Sequence, residues 1–298
     1  MEKYVQLYNE RGTFMKKLLV TGASGFLGSR IAEFYKETYE ILAPKHKEMD
    51  ITELNSVEIY FSEHKPDYVV HCAAISNVGV CEKEQELSWK VNVVGTENIV
   101  KTAKKYGVKC ICSSSDQVYF GSREILPHEE DIDLTPQNVY GREKYDTERS
   151  CLAIDDTSVH LRLAWMYDAT DELRNDFLKQ VLNCSKGDGN IAFSANDKRG
   201  ITDVWEVVKN IEKTFSLPGG VYNFGSLNDK TTYETVLRIF EKQNYDKSYI
   251  KKMEYPNPRN LTMSQEKLNR YGIYFSTTEE GILRALKKQR EYSKEIWQ

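Results

Sequence analysis

The chain has 298 residues, of which 40% are hydrophobic and 29% charged, and its formal net charge is −4 at neutral pH. This composition is typical of a globular protein and excludes a disordered or collagen-like chain. The mildly acidic balance gives no reason to expect nucleic acid or a membrane surface as a partner, and no apolar run approaches the roughly 18 residues that cross a bilayer.

The six cysteines predict reduced thiols in a cytoplasmic protein, because a chain of this length needs no disulfide bonds to stabilise its core. Cys110 and Cys112 lack a second pair of ligands at metal-binding spacing, so we expect no metal site. Residues 1–14 have no apolar segment of the kind found in a signal peptide, and we expect them to form an N-terminal extension.

From residue 15, short apolar runs alternate with longer helical patterns. The predicted strands are Lys16–Thr21, Tyr39–Ala43, Asp67–Cys72, Val108–Ser113 and Ser158–Ala164. The predicted helices are Phe26–Lys36, a helix from a Thr52 cap towards Glu63, Glu84–Tyr106, and Pro136–Ala153 with Thr135 as its cap. This alternation predicts an α/β fold, with a Rossmann-like, doubly wound parallel sheet and right-handed crossovers.

Beyond residue 165 the pattern loosens, with helices expected near 171–186, 203–216, 231–243, 264–271 and 278–290. We therefore expect residues 15–170 to form a dinucleotide-binding domain, on which residues 201–224 pack back. Residues 171–298 are expected to form mainly a smaller, substrate-binding lobe over the ends of the strands, where ligands lie in such sheets.

A glycine-rich turn follows the first predicted strand, with Gly22, Gly25 and Gly28 spaced three residues apart. The intervening residues Ser24, Phe26 and Leu27 belong to the same strand-to-helix junction. The free N–H groups and the dipole of a helix N-terminus favour a pyrophosphate, and side chains at the turn would block its approach. The turn therefore predicts a dinucleotide site.

The residues after the second predicted strand favour NADP(H), although NAD(H) is not excluded. Lys45 and His46 precede Lys47, and no acidic residue comes before Glu48 to bind a ribose 2′-hydroxyl. Basic side chains suit a 2′-phosphate instead. Asp50 and Ile51 follow at the position expected for the adenine edge of the cofactor.

Tyr140 and Lys144 are four residues apart on a predicted helix and therefore share a face. A nearby ammonium lowers the pKa of a phenol, so Tyr140 could exchange a proton with a carbonyl or hydroxyl oxygen. Ser115 lies at the end of a predicted strand, where its hydroxyl could bind the same substrate oxygen. These three residues are the candidate catalytic group.

The chain resembles the extended short-chain dehydrogenase/reductases, which act mostly on nucleotide sugars. The resemblance rests on GASGFLG (22–28), HCAA (71–74), SWKVNVVGTENI (88–99), SSSDQVY (113–119) and NVYGREKY (138–145). Within this family, EMDIT (48–52), RLAWMYD (162–168) and NPRNLTMSQEKL (257–268) are similar to the dTDP-4-dehydrorhamnose reductase subgroup.

The resemblance implies roles for further residues. It assigns Ser115, Tyr140 and Lys144 to the catalytic triad, and Ala73, Ala74 and Asn92 to the cofactor site. The residues that it implies at the substrate are Ser76, Asp116, Gln117, Trp165, Asn175 and Arg199. The subgroup usually has an aromatic residue where this chain has Gln117 and an arginine where it has Asn257, and RGIT (199–202) lacks a proline of the corresponding motif. These departures concern the sugar and its nucleotide.

Three chemistries use this scaffold, and a regulatory protein without turnover is the competing class. A 4,6-dehydratase needs an Asp-Glu pair, but this chain has Asp116 followed by Gln117, and an amide cannot act as a base. We favour reduction of a 4-keto nucleotide sugar by NADPH. The alternatives are an NAD-dependent epimerase and an NADP-binding regulatory subunit without turnover, like the beta subunit of methionine adenosyltransferase. The family often forms homodimers, which the resemblance makes possible here.

Overall fold

A computed structural model describes residues 15–171, 174–187 and 191–295. The predicted N-terminal extension, residues 1–14, lies outside this described part. The strands are β1 Lys17–Thr21, β2 Glu40–Leu42, β3 Tyr68–His71, β4 Lys109–Ser115, β5 Val159–Leu163, β6 Trp165–Tyr167, β7 Ala192–Ser194, β8 Asp197–Arg199, β9 Ile201–Asp203, β10 Gly220–Phe224, β11 Lys251–Met253 and β12 Arg259–Leu261. The helices are α1 Phe26–Tyr35, α2 Leu54–His64, α3 Val78–Lys83, α4 Gln85–Trp89, α5 Gly95–Tyr106, α6 Val139–Ile154, α7 Phe177–Ser185, α8 Val204–Thr214, α9 Thr232–Gln243, α10 Glu266–Asn269 and α11 Thr278–Glu295.

The main sheet of the described residues has six strands in the order β10-β5-β4-β3-β1-β2. β1 pairs in parallel with β2 and β3, and β3 pairs in parallel with β4. In this register Leu19 lies opposite Leu42 and Val69, and all three side chains are buried. Apolar strands connected through helices are buried on both faces of such a sheet. The predicted α/β, Rossmann-like, doubly wound parallel sheet is confirmed.

The chain divides into two compact units, each made of several segments. The first unit comprises residues 1–114, 138–161 and 210–221, of which the part from residue 15 is described. Its core includes Val57, Phe61 and Ile99, all fully buried. The second unit comprises residues 115–137, 162–209 and 222–298. It contains three short parallel strand pairs, β6–β9, β7–β11 and β8–β12, and a core of its own around Phe240 and Ile282.

The predicted helix caps at Thr52 and Thr135 are wrong. Both the backbone N–H and the hydroxyl of Thr52 donate to Asp50 Oδ1, so Thr52 closes a turn and α2 begins at Leu54. Helix α6 begins at Val139, and the side chain of Asn138 caps it by accepting from Gly141 N at 2.6 Å. Gln137 N donates to Phe120 O instead of entering the helix.

The predicted helix over Glu84–Tyr106 is confirmed, since helical residues run from Gln85 to Tyr106, but the π-helical turn within it was not predicted. The helical stretch begins at Val78, with Asn77 as its cap, and is interrupted at Glu84. Between α4 and α5 the residues Lys90–Val94 form a turn of π-helix, a rare widening that is frequent at functional sites. Over the part of the chain that the structure describes, no helix is both long and apolar enough to cross a bilayer.

Candidate functional site

The glycine turn between β1 and α1 leaves a cradle without side chains. Gly22 has a φ of +66°, and a Cβ there would lie 2.7 Å from Ala73 N. A Cβ on Gly28 would lie 2.3 Å from Gly22 O, so both positions require glycine. Helix α1 begins immediately after Gly25 without a side-chain cap, which leaves its first N–H groups for an anion. This turn fits the pyrophosphate of a dinucleotide.

A buried hydrogen-bond chain fixes the ends of β1 and β3 beside that cradle. His71 Nε2 lies 3.0 Å from Thr96 Oγ1, which itself donates to Asn92 O at 2.7 Å. Nε2 must therefore carry the proton, and Nδ1 accepts from Thr21 Oγ1 at 2.7 Å. Thr21 Oγ1 in turn accepts from Ala73 N at 3.2 Å. Burial lowers the pKa of His71 to about 3, so His71 is a neutral structural residue at physiological pH.

The predicted adenine side follows β2. Lys45, His46 and Lys47 are exposed. His46 Nε2 lies 3.7 Å from Asp50 Oδ2. The Ile51 side chain is buried under Gly95, whose added Cβ would approach Ile51 Cδ1 to 2.9 Å. The three basic residues that follow the strand are therefore open to solvent.

Tyr140 and Lys144 lie together on α6 and are both buried, with exposed fractions of 8% and 3%. Lys144 Nζ lies 5.7 Å from the centre of the Tyr140 ring and donates to Ser113 O at 2.8 Å. Burial lowers the pKa of Lys144. The Tyr140 ring packs with Cys81 and Val139, which hold it in place. Tyr140 and Lys144 therefore share a face of α6, as their spacing predicted.

Asn92 lies in the π-helical turn and is fully buried. Its side-chain amide accepts from Ile75 N at 2.8 Å and donates to Ile75 O at 3.0 Å. It also donates to Glu143 Oε2 at 2.7 Å. Asn92 thus connects the segment after Ala73 and Ala74 to the helix that carries Tyr140 and Lys144.

In the second unit, five predicted residues lie together. Asp116 Oδ2 accepts from Arg199 Nη2 at 2.8 Å, and Asp116 Oδ1 lies 3.3 Å from Ser115 Oγ and 3.4 Å from Gln117 Nε2. The Arg199 guanidinium lies over the ring of Trp165 at 4.9 Å. Arg199 Nε is buried and has no hydrogen-bond partner in the described residues.

Two predicted substrate residues, Ser76 and Asn175, take no part in the contacts described above. Ser76 is exposed just before the Asn77 cap of α3, and Asn175 is exposed just before the Asp176 cap of α7. The sequence analysis also missed two residues. Glu143 and Ser88 are both buried and hydrogen-bonded to each other. An acid three residues after Tyr140 shares its helix face, and this signal could have drawn attention to Glu143.

Comparison with known proteins finds a family model and two relatives that match most of the chain. The family model described as RmlD substrate binding domain matches residues 15–290. A dTDP-4-dehydrorhamnose reductase of Aggregatibacter actinomycetemcomitans is 29% identical, over 76% of this chain and 79% of its own length. The methionine adenosyltransferase 2 subunit beta of Xenopus laevis is 27% identical, over 87% of this chain and 83% of its own length.

A solved structure also matches nearly the whole chain. It is the dTDP-4-dehydrorhamnose reductase of Bacillus anthracis str. Ames in complex with NADP, which aligns with a TM-score of 0.80 and 25% identity. The alignment covers 93% of this chain and 99% of that one. The likeness therefore extends over both units of the chain.

Proposed function

The chain belongs to the RmlD substrate-binding-domain family, and from that premise we propose that it is an NADPH-dependent reductase of a 4-keto nucleotide sugar. The observation that carries this proposal is the buried pair Tyr140 and Lys144 on one face of α6. A phenol beside an ammonium is suited to proton transfer at an oxygen. The relatives named dTDP-4-dehydrorhamnose reductase support the same reaction class.

The residues present fit a bound NADP(H). The cradle at Gly22 and Gly28 would receive the pyrophosphate, because any Cβ there would fill it. Lys45 and His46 would meet the 2′-phosphate, and Ala73 and Asn92 would border the nicotinamide half. When bound, NADPH supplies the hydride for the reduction.

The protein's own part is to handle the proton. Tyr140 would donate its hydroxyl proton to the oxygen of the reduced carbonyl. Lys144 would favour the resulting phenolate by its charge and would bind the ribose of the cofactor. The Lys144 ammonium is held by its hydrogen bond to Ser113 O, and Lys144 shares a face of α6 with Tyr140.

Arg199 and Trp165 are suited to the nucleotide part of the substrate. The unpartnered Nε of Arg199 offers a donor to a phosphate oxygen, and the Asp116 carboxylate holds the guanidinium through Nη2. Asp116 is engaged by Arg199, and Gln117 is an amide. This pair is therefore unsuited to the acid and base of a dehydratase.

The test is the decrease of NADPH absorbance when purified protein meets 4-keto sugar nucleotides that differ in sugar and in base. We expect turnover with at least one of them, and Tyr140→Phe should abolish it. Tight NADPH binding without turnover on any sugar would instead favour a regulatory role, which the similarity to methionine adenosyltransferase 2 subunit beta raises as the second candidate. Turnover that needs only catalytic NAD and interconverts two sugars would indicate an epimerase.

A further inference from the structure

A short turn of 3-10 helix, Asp116–Tyr119, carries two of the proposed substrate residues, Asp116 and Gln117. Phe120 N closes it by donating to Gln117 O at 3.1 Å. Such turns are short and their hydrogen bonds are poorly aligned, so a single turn needs anchors from other elements to keep its position. Arg199 anchors the first residue of the turn by donating to Asp116 Oδ2 at 2.8 Å.

Tyr119 anchors the end of this turn through its hydroxyl, and its exposed fraction is 1%. Arg162 Nη1 donates to Tyr119 Oη at 2.7 Å, because a guanidinium has only donors. The hydroxyl proton is directed at Asn223 Oδ1, which lies 2.6 Å away. The orientation of the Asn223 amide is fixed, since its Nδ2 faces two carbonyl oxygens, His128 O at 2.9 Å and Ser264 O at 3.2 Å. The Tyr119 hydroxyl thus accepts one hydrogen bond and donates another.

The two partners of this hydroxyl are themselves buried and held in place. Arg162 on β5 is 2% exposed, and Asn223 on β10 is fully buried. Arg162 Nη1 also donates to Glu130 O at 3.2 Å, and Asn223 N donates to Glu130 Oε1 at 2.8 Å. The ring of His128 stacks on the ring of Tyr119, with 4.3 Å between the ring centres. A buried polar group without a partner is costly, so this network keeps Tyr119 Oη at one place.

We propose that Tyr119 is a positioning residue that sets the orientation of Asp116 and Gln117 towards the sugar nucleotide. Its hydroxyl fixes one end of the turn on two buried partners, and the Arg199 guanidinium holds the other end. The inference rests on the proposed function, because it takes Asp116 and Gln117 as residues that face the substrate. Every residue of this network belongs to the second unit.

Tyr119→Phe removes the anchor and keeps the packing. The phenyl ring can still stack on His128. Arg162 Nη1 still has Glu130 O as an acceptor, whereas Asn223 Oδ1 loses its donor. The variant therefore unties the end of the turn from β5 and β10 while the aromatic packing remains.

Tyr222→Phe is the matched control. Tyr222 is also buried, with an exposed fraction of 1%, and its hydroxyl is hydrogen-bonded to Tyr271. It precedes Asn223 on β10 and therefore points to the opposite face of that strand. This variant deletes a buried hydroxyl from the same unit, so it reproduces a general loss of stability without untying the turn.

The experiment measures hydrogen exchange at the amides of Gln117 and Phe120, together with the kinetics of sugar nucleotide reduction. In Tyr119→Phe both amides should exchange about tenfold faster than in the natural protein, which is the effect of losing one buried hydrogen bond. KM for the 4-keto sugar nucleotide should rise about tenfold with little change in kcat, because Asp116 and Gln117 bind the substrate and its transition state alike. NADPH affinity should stay the same, since the glycine cradle belongs to the first unit. Tyr222→Phe should leave both KM and the exchange of the turn unchanged.

Turn amides that exchange at the natural rate in folded Tyr119→Phe would overturn the inference, and so would an equal acceleration in Tyr222→Phe. An unchanged KM would overturn it too, since Tyr119 would then serve stability alone. If Tyr119→Phe does not fold, the natural protein decides. Its Tyr119 hydroxyl proton is buried and hydrogen-bonded, so it should exchange slowly enough to give its own NMR signal, and the absence of that signal would refute the anchor. A natural protein that reduces no 4-keto sugar nucleotide refutes the proposed function instead, and the exchange rates still decide whether Tyr119 sets the turn.

Discussion

Lys144 in the first unit and Arg199 in the second are both largely buried cations, but their partners differ. Lys144 donates to a backbone carbonyl, and burial lowers its pKa. Arg199 lies against the Asp116 carboxylate and the face of Trp165, and a guanidinium does not lose its proton. Burial therefore affects the two cations differently, because it lowers the pKa of Lys144 whereas a guanidinium keeps its charge.

The largest expected effect comes from changing Tyr140, which lies beside Lys144 on α6. Tyr140→Phe removes the proposed proton donor but keeps the ring that packs with Cys81 and Val139. We expect turnover to fall by about a thousandfold, within the range of general acid catalysis, while NADPH affinity changes by less than about twofold. Steady-state rates and fluorescence titration measure the two quantities. Retained turnover would remove Tyr140 from the mechanism.

Arg199→Met tests the second cation. It leaves Asp116 buried with its main partner gone, and we expect a loss of about 3 kcal/mol in the free energy of unfolding. The matched background is Asp116→Asn, in which the same Arg199→Met change should lower the free energy of unfolding much less. Chemical unfolding of the four proteins gives the coupling. Equal losses in both backgrounds would show that the ion pair does not stabilise the protein.

Patterns along the chain predicted the features of the fold and the site that depend on local spacing and residue type. The doubly wound parallel sheet followed from the alternation of apolar runs with helical periods, since buried parallel strands need apolar side chains on both faces. The shared face of Tyr140 and Lys144 followed from helical spacing alone. Such features can be predicted without knowing which distant residues they contact.

Contacts distant in sequence decided what the pattern did not predict. The start of α6 depends on the bond from Gln137 N to Phe120 O, and the π-helical turn brings Asn92 to Ile75 and Glu143. The hydrogen bond from Arg199 to Asp116 joins residues that lie 83 positions apart in the chain. The periodic pattern of a single helix or strand cannot predict contacts between residues that are distant in sequence.

Buried His71 is neutral in the folded protein, and the pH dependence of stability tests this. Its folded-state pKa of about 3 lies below its ordinary value of 6.5, so the unfolded chain binds a proton that the folded state does not. The folded protein should lose stability as pH falls below about 6.5, by roughly 2 kcal/mol at pH 5 from this group alone. His71→Gln should reduce that loss by the same amount, as followed by unfolding at pH 7 and pH 5.

The control for this test is His46→Gln, because His46 is exposed. It should leave the difference in stability between the two pH values unchanged. An unaltered pH dependence in His71→Gln would mean that His71 takes up a proton in the folded state, contrary to the proton arrangement that its bonds to Thr96 and Thr21 require.

The smallest expected effect concerns Lys45 and Lys47, the exposed lysines that follow β2. Reversing both Lys45 and Lys47 to glutamate should weaken NADPH binding by about tenfold, since exposed charge pairs contribute up to about 1 kcal/mol each. NADH, which lacks the 2′-phosphate, should bind almost unchanged, and added salt should narrow the difference. Lys213→Glu, an exposed reversal on α8, serves as control. Equal weakening of both cofactors would show that these lysines do not select the phosphate, and the choice of NADP(H) would then have to rest on other residues.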